Sequence, residues 1–161
     1  MSAVSSVQVG VAGPAAWVRV DGRGSFQNSS GLKDFAAEMK QRGIRQFVID
    51  LKSCELMDST FLGTLAGLAL GLGPEGKLTV IRANARNREV MQNLGLDRIF
   101  AVEDAAPTPA PGALHSAEPD PPRAARRETI VEAHENLVAA NPENAIRFKD
   151  VLEFLQHKEP H

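Results

Sequence analysis

Cysteine is almost absent from the sequence, and long apolar runs are absent as well. The one cysteine among 161 residues cannot form an internal disulfide. The longest uncharged apolar run, residues 61–73, is well short of the roughly 20 residues that span a bilayer, so it predicts a buried helix and no membrane span. The first residues lack the basic and apolar regions of a secretory signal, and we therefore expect a cytoplasmic protein.

The sequence also lacks an excess of charge of one sign. Its 18 Lys and Arg residues nearly balance 20 Asp and Glu residues, which gives a net charge of −2. A dedicated nucleic-acid binder usually carries a broad basic face that follows the phosphate backbone. The charge balance therefore predicts no direct contact with nucleic acid.

Catalytic and metal-binding patterns are missing too. No histidine has a cysteine or an acidic cluster at metal-ligand spacing, so we expect no metal and no cofactor. His134 lies between Glu132 and Glu135 on a predicted helix, where a solvated or half-buried face is expected. Cys54 has no histidine near it in sequence, and Ser59 lacks the glycine-framed turn of a nucleophilic serine. The chain is predicted not to be an enzyme.

Proline is concentrated in one segment, because six of the ten prolines lie within residues 107–122. Such a segment cannot bury enough apolar surface to offset its ordering entropy, which excludes regular structure and predicts a linker. We therefore divide the chain into a domain over residues 1–104, a proline-rich linker over 105–123 and a tail over 124–161.

Before the linker, alternating and periodic apolar residues predict strands and helices in the order ββαβαβαβ. This order implies a small mixed β-sheet covered by helices, an α/β fold with parallel crossovers after an opening hairpin. The predicted strands cover 7–11, 16–20, 44–51, 77–83 and 99–102, and the helices lie within 28–43, 58–73 and 84–94. Residues 53–57 are predicted to be a loop.

The tail shows two further helical patterns. Apolar residues line one face of the first, and Asn141-Pro142 then offers a start for the second. The first stripe comprises Ile130, Val131, His134, Leu137 and Val138, and the second comprises Ile146, Val151, Leu152 and Leu155. Two short helices cannot form a core alone, so this helical hairpin must pack on the domain, on a second copy of the chain or on a partner. A homodimer through the C-terminal helices is one of these possibilities.

The apolar helix is preceded by Asp58, Ser59 and Thr60. These residues are predicted to form its N-terminus. Asp58 or Ser59 can accept hydrogen bonds from backbone N–H groups, and an acidic side chain suits the positive end of the helix dipole. A hydroxyl here is also exposed and fixed in direction at the edge of the sheet. A phosphate on Ser59 would add close to two negative charges beside Asp58 and Glu55, which would repel a docked partner. Capping and a binding switch are both compatible with this pattern.

The strand FVIDL, residues 47–51, and the segment CELMDSTFLGTLAGL, residues 54–68, resemble the STAS domain family. Within that family they are similar to the bacterial anti-sigma factor antagonists, and the resemblance covers residues 5 to about 104. It implies that Ser59 is the phosphoacceptor, with Asp58 beside it and Thr60 as a second, helix-capping hydroxyl. The sequence departs from the family at Phe61, where glycine is common, and Phe61 is either a partner anchor or a core residue.

The resemblance also implies partners. An anti-sigma factor that is a serine kinase of the ATPase type would phosphorylate Ser59, and a PP2C-type phosphatase would reverse the reaction. The unphosphorylated antagonist would bind the kinase and free a sigma factor. The docking surface would be the start of the helix, the loop 22–29 and the loop 53–57. Its partner-binding residues would be Cys54, Glu55, Met57 and Phe61.

The sequence is also compatible with two other functions. The chain could be a STAS subunit of a larger assembly, such as a lipid transporter or a stress-sensing complex, with constitutive contacts. It could instead sense a nucleotide through the turn from Gly71 to Lys77, which comes close to a phosphate-binding loop. That turn has Leu78 where a magnesium-binding Ser or Thr belongs, and a helix precedes it where a strand should, so a simple glycine-rich turn is the stronger interpretation.

Overall fold

A computed structural model describes residues 5–117 and 123–149 of the chain. Within these residues it forms a seven-stranded mixed sheet with helices packed on it. The elements, in chain order, are β1 (Ser6–Ala12), β2 (Ala15–Gly24), α1 (Ser29–Gln41), β3 (Gln46–Asp50), β4 (Cys54–Met57), α2 (Ser59–Gly71), β5 (Lys77–Ile81), α3 (Ala85–Asn93), β6 (Ala101–Glu103), β7 (His115–Ser116) and α4 (Arg123–Ala140). The predicted fold class, a small mixed sheet covered by helices, is confirmed.

The strands follow the order β6-β5-β3-β2-β1-β7, and β4 pairs with β2 off this path. The hairpin β1–β2 and the pair β1–β7 are antiparallel, and the other pairs are parallel. The strand β3 therefore lies between parallel neighbours, as its apolar run predicts. Its Phe47 and Ile49 belong to the main core, which also takes in the inner residues of the helices.

Two strands were not predicted by the sequence pattern. Residues 53–57, expected to be a loop, contain β4, because β2 continues past β3 and offers its last residues for pairing. Gly22 makes this possible, since its φ of 76° lies in the left-handed region that favours glycine, and the register of β2 shifts between Gly22 and Arg23. The second is β7, which lies inside the proline-rich window and pairs with Gln8 and Val9 of β1.

The segment after β6 covers the side of the sheet opposite the main core. Trp17, Val48 and Ile81 form a second buried cluster there, and Leu114 packs against it. Trp17 is only 4% exposed, although the alternation of β2 predicted a half-buried strand. The described part of the proline-rich segment, residues 105–117, thus lies on the domain and carries β7 at the sheet edge, where no regular structure was expected.

The tail packs on the domain of its own chain. Leu137 of α4 is fully buried and belongs to the main core cluster. Residues 144–149 are also helical, in agreement with a second tail helix, but Ile146 is 85% exposed and does not join a buried stripe. The other residues predicted for that stripe, Val151, Leu152 and Leu155, lie outside the described residues.

Candidate functional site

The centre of the site is the start of α2, which the end of β2 and the strand β4 hold in place. Asp58 follows β4 directly, and its backbone N–H donates to the Gly24 carbonyl at 2.8 Å. The Asp58 side chain then caps the helix, because its Oδ1 accepts from the Phe61 N–H at 2.9 Å. Its Oδ2 accepts from the Phe26 N–H at 2.9 Å. One carboxylate therefore fixes both the helix start and the loop after β2.

Phe61 has its place in the core for a local reason. Its side chain is fully buried, and a Cβ on Gly24 would lie 2.6 Å from its ring. A glycine at the end of β2 therefore provides the space that the ring of Phe61 occupies. Of the two positions considered for Phe61, the structure has the core position, so this side chain is not presented to a partner.

The other residues expected at the docking surface are divided between the core and the exterior. Cys54 and Met57 are buried, whereas Glu55 is exposed. Cys54 and Met57 are the first and last residues of β4 and both belong to the main core, a spacing of three that simple strand alternation does not predict. Burial also raises the pKa of the Cys54 thiol, which makes it a poor nucleophile. Cys54 and Met57 thus support the surface from beneath, and Glu55 is part of it.

Ser59 and Thr60 differ in accessibility. Thr60 is buried, with 4% of its surface exposed, whereas Ser59 is half-buried at the first position of α2. The Ser59 Oγ lies 2.7 Å from His134 Nε2, on α4. His134 Nδ1 lies 2.7 Å from the Ile130 carbonyl oxygen, which only accepts. His134 therefore donates from Nδ1, and in the neutral ring its Nε2 accepts the hydroxyl hydrogen of Ser59.

The environment of His134 corrects the expectation of a solvated or half-buried histidine, because it is only 3% exposed. Its ring also meets Phe148 edge to face, with the ring centroids 4.9 Å apart. The sequence signal for burial was present, since His134 shares a helical face with Leu137. Nothing in the sequence indicated Ser59 as its partner, because the two residues are 75 positions apart.

Phe26 is a further site residue that the sequence analysis did not name. It lies in the loop after β2, it is 39% exposed, and its backbone is tied to Asp58. An exposed aromatic ring in a fixed loop is a typical anchor for a protein partner. The only sequence signal was its position within the loop 22–29, which had been assigned to the docking surface.

Among residues 5–117 and 123–149, no group of three or more His, Cys, Asp or Glu side chains could hold a metal ion. In the same part of the chain, every helix is too short or too polar to cross a bilayer.

The family comparison identifies the first part of the chain. A family model described as the Mlab STAS domain matches residues 7–103. No curated protein sequence matches the chain. The family match ends before β7 and α4, so it includes Ser59 and leaves out His134.

Similar solved structures share the fold. An anti-sigma factor antagonist from Mycobacterium paratuberculosis is 24% identical, with a TM-score of 0.57 over 67% of this chain and 92% of that one. The Bacillus cell fate determinant SpoIIAA in its phosphorylated form is 18% identical, with a TM-score of 0.54 over 63% of this chain and 93% of that one. The unphosphorylated anti-sigma factor antagonist SpoIIAA has a TM-score of 0.54 and 17% identity, over 63% and 90% of the two chains.

Proposed function

The chain belongs to the STAS domain family, and from this premise we propose that it is a protein-binding switch of the anti-sigma factor antagonist type. Unphosphorylated at Ser59, it binds an anti-sigma factor that is also a serine kinase of the ATPase type, and thereby frees a sigma factor. Phosphorylation of Ser59 ends the binding, and a PP2C-type phosphatase restores it. The protein acts in the cytoplasm. It acts by binding and not by catalysis, because Ser59 is the acceptor of a phosphoryl group that the kinase transfers.

The observation that carries the proposal is the position of Ser59. Its hydroxyl lies at the first residue of α2, directly after the Asp58 cap, and it is more accessible than the buried Thr60. A modification at this position leaves the hydrogen bonds inside the helix intact, because the first N–H groups of a helix have no partner within it. A phosphate can therefore change the surface without unfolding α2.

The surface around Ser59 supports a protein partner. It combines the exposed ring of Phe26, the exposed carboxylate of Glu55 and the capping carboxylate of Asp58. A phosphate would add nearly two negative charges beside these carboxylates. A partner whose surface complements the unmodified site would then meet like-charge repulsion and a desolvation cost, and it would dissociate.

The first experiment is a phosphorylation assay. The purified chain is incubated with ATP and with each ATPase-type serine kinase of its organism, and the intact mass is measured. We expect one kinase to add a single phosphate to the wild-type chain and to a Ser53→Ala control, and none to Ser59→Ala. Phosphate on another residue, or on none with every kinase, would contradict the proposal.

The second experiment measures affinity for that kinase. Ser59→Asp should weaken binding at least about tenfold, or roughly 1.4 kcal/mol, because it places a permanent charge at the docking surface. Ser59→Asn is the matched control, since it has nearly the same shape without the charge. Equal affinities of the Asp and Asn variants would remove the charge argument.

One observation favours a second candidate function. The Ser59 hydroxyl is already bonded to His134, which suits a STAS subunit of a larger assembly whose contacts are constitutive. In that case, a stable partner would co-purify equally well with the wild-type chain and with Ser59→Asp. Loss of the partner from Ser59→Asp alone would favour the switch.

A further inference from the structure

Helix α4 packs on α2 at two glycines. A Cβ on Gly63 would lie 2.0 Å from the Ala133 carbonyl oxygen, and one on Gly67 would lie 2.3 Å from Asn136 Nδ2. At Gly63 the obstacle is the backbone of α4, which cannot move away without moving the helix. The absence of side chains at these two positions, about one and two turns after Ser59, therefore allows α4 to lie directly against α2.

Polar contacts hold α4 along its middle and after its end. In its middle, the hydroxyls of Ser30 and Thr129 lie 3.3 Å apart, and Lys33 forms an ion pair with Glu132 at 3.0 Å. After its end, the buried Asn144 donates from Nδ2 to the Leu94 carbonyl at 3.1 Å and to the Leu137 carbonyl at 2.8 Å. These contacts fix α4 in the position that brings His134 to Ser59.

The contact between α4 and the domain is extensive, but it is open to water on one side. A pocket of about 220 Å³ lies between α1, α2 and α4, with Leu32, Thr64 and Ala133 in its wall. Solvent-accessible side chains, among them Lys33 and Glu132, complete the lining, so the pocket opens to the surface. Helix α4 is therefore well positioned, and water reaches one side of its contact with the domain.

We propose that α4 is an intramolecular cover of Ser59. A kinase reaches the hydroxyl only when α4 has lifted, and a phosphate on Ser59 keeps α4 from returning. This regulation rests on the proposed function, because it concerns the same phosphoacceptor. It assigns a role to the part of the chain that lies beyond the family match.

The geometry of phosphoryl transfer explains why the cover must lift. The Ser59 Oγ attacks the γ-phosphorus of ATP, the bond from that phosphorus to the oxygen of the departing ADP breaks, and the hydroxyl proton passes to a base of the kinase. In the covered state the hydroxyl hydrogen points at His134 Nε2, and the buried imidazole lies only 2.7 Å from Oγ. Helix α4 therefore blocks the approach of the γ-phosphorus to Oγ.

The product is incompatible with the cover for a related reason. A phosphate dianion on Ser59 would lie against the buried ring of His134 and beside the Asp58 carboxylate. Asp58 already accepts the Phe61 N–H, so this helix N–H group is not free to bind the phosphate. A phosphate does not fit between Oγ and an imidazole nitrogen only 2.7 Å away, and the Asp58 carboxylate repels the dianion, so both effects favour the open state.

The cover can be tested without any kinase by hydrogen exchange on the full chain. Ser59→phosphoserine is introduced during translation, and Ser53→phosphoserine is the matched control on an exposed residue of the same face. We expect amide exchange in α4 to accelerate about tenfold or more with phosphate at position 59, a coupling of ordinary size, and to stay unchanged with phosphate at 53. Unchanged or slower exchange in α4 at position 59 would overturn the cover.

A second arm measures phosphorylation rates. Gly63→Ala pushes on the backbone of α4, whereas Gly71→Ala in the same helix meets only the flexible end of Lys40, 3.1 Å away. We expect Gly63→Ala to be phosphorylated about tenfold faster than the wild-type chain and Gly71→Ala to be unchanged. Equal rates for all three would overturn the cover and leave the proposed function standing.

A cross-link gives the opposite perturbation. The double variant Ser30→Cys and Thr129→Cys replaces two buried hydroxyls that already face each other, so oxidation should lock α4 in place. The oxidised form should resist phosphorylation, and the reduced form of the same molecule should recover it. If no kinase modifies any of these proteins while phosphoserine at 59 still releases α4, the proposed function fails and the cover stands.

Discussion

The side of α2 that faces the sheet and the side that faces α4 are built from residues of different size. Phe61 and Leu65 on the sheet side are fully buried in the main core. On the other side, Gly63 allows the backbone of α4 to approach, and Gly67 leaves room for the Asn136 side chain. Large side chains remove much apolar area from water, whereas glycines contribute almost none. The comparison suggests that one side holds the domain together and that the other provides a place for a removable element.

The largest effect is expected when a side chain on the sheet side of α2 is truncated. Phe61→Ala should lower the free energy of unfolding by about 3–5 kcal/mol, because it removes a buried ring and leaves a cavity beside Gly24. Urea denaturation of the whole chain measures the loss, and Phe61→Leu should cost clearly less. A loss below about 1 kcal/mol for the alanine variant would contradict a core role for this side of α2.

A truncation on α4 should have a more local effect. Leu137→Ala should cost about 2–4 kcal/mol, but mainly in the docking of α4, because Leu137 is a large, fully buried apolar side chain of that helix. Hydrogen exchange should show faster opening of α4 with little change in β3 and β5. Glu135→Ala, at an exposed position of the same helix, is the control. Uniform acceleration throughout the sheet would mean that α4 and the domain unfold as one unit.

Asp58 caps the start of α2, and its replacement should lower the stability by a smaller amount. Asp58→Ala loses the acceptor for the N–H groups of Phe61 and Phe26, which should cost about 1–2 kcal/mol. Asp58→Asn keeps a side-chain oxygen for the helix and should cost less. Thermal unfolding of both variants measures the difference. Equal stability of Asp58→Ala and the wild-type chain would show that the cap contributes nothing.

The smallest expected effect is at two glycines of α2. It distinguishes the intrinsic helix propensity of the residue from its contact with α4. Gly71→Ala should stabilise the chain by up to about 0.5 kcal/mol, because alanine favours a helix and the added methyl group meets only the end of Lys40. Gly67→Ala should lose this gain, since its methyl group displaces Asn136. Urea denaturation of both variants provides the test. A larger gain at 67 than at 71 would show that α4 does not need the small residue there.

Local chemistry in the sequence was sufficient to predict the helix start at Asp58 and Ser59 and the apolar strand β3. A capping residue before an apolar run specifies the helix start, and a β-branched apolar run specifies the strand. Neither needs information from elsewhere in the chain. It was not sufficient for β4, because Cys54–Met57 becomes a strand only when β2 bends at Gly22 and pairs with it. The strand β7 was missed for the same reason, since its partner β1 is more than a hundred residues away in sequence.

The candidate site was predicted in the same partial way. Ser59, Asp58 and Glu55 could be placed on one surface because they are close in sequence. The burial of Cys54 and Met57 depended on the strand that was missed, and the contact of His134 with Ser59 depended on where the tail packs. Contacts of this kind leave no periodic pattern, so a single sequence does not reveal them.

The strand β7 has a consequence for how the tail competes. It anchors the chain to β1 immediately before the tail, and only residues 118–122 separate the described segment that ends at Ala117 from α4. A helix on so short a tether has an effective concentration in the millimolar range, roughly, whatever the concentration of the protein. Dilution therefore does not detach α4. A partner that displaces α4 must bind tightly enough to compete with this effective concentration. Weak, nonspecific binders do not have that affinity.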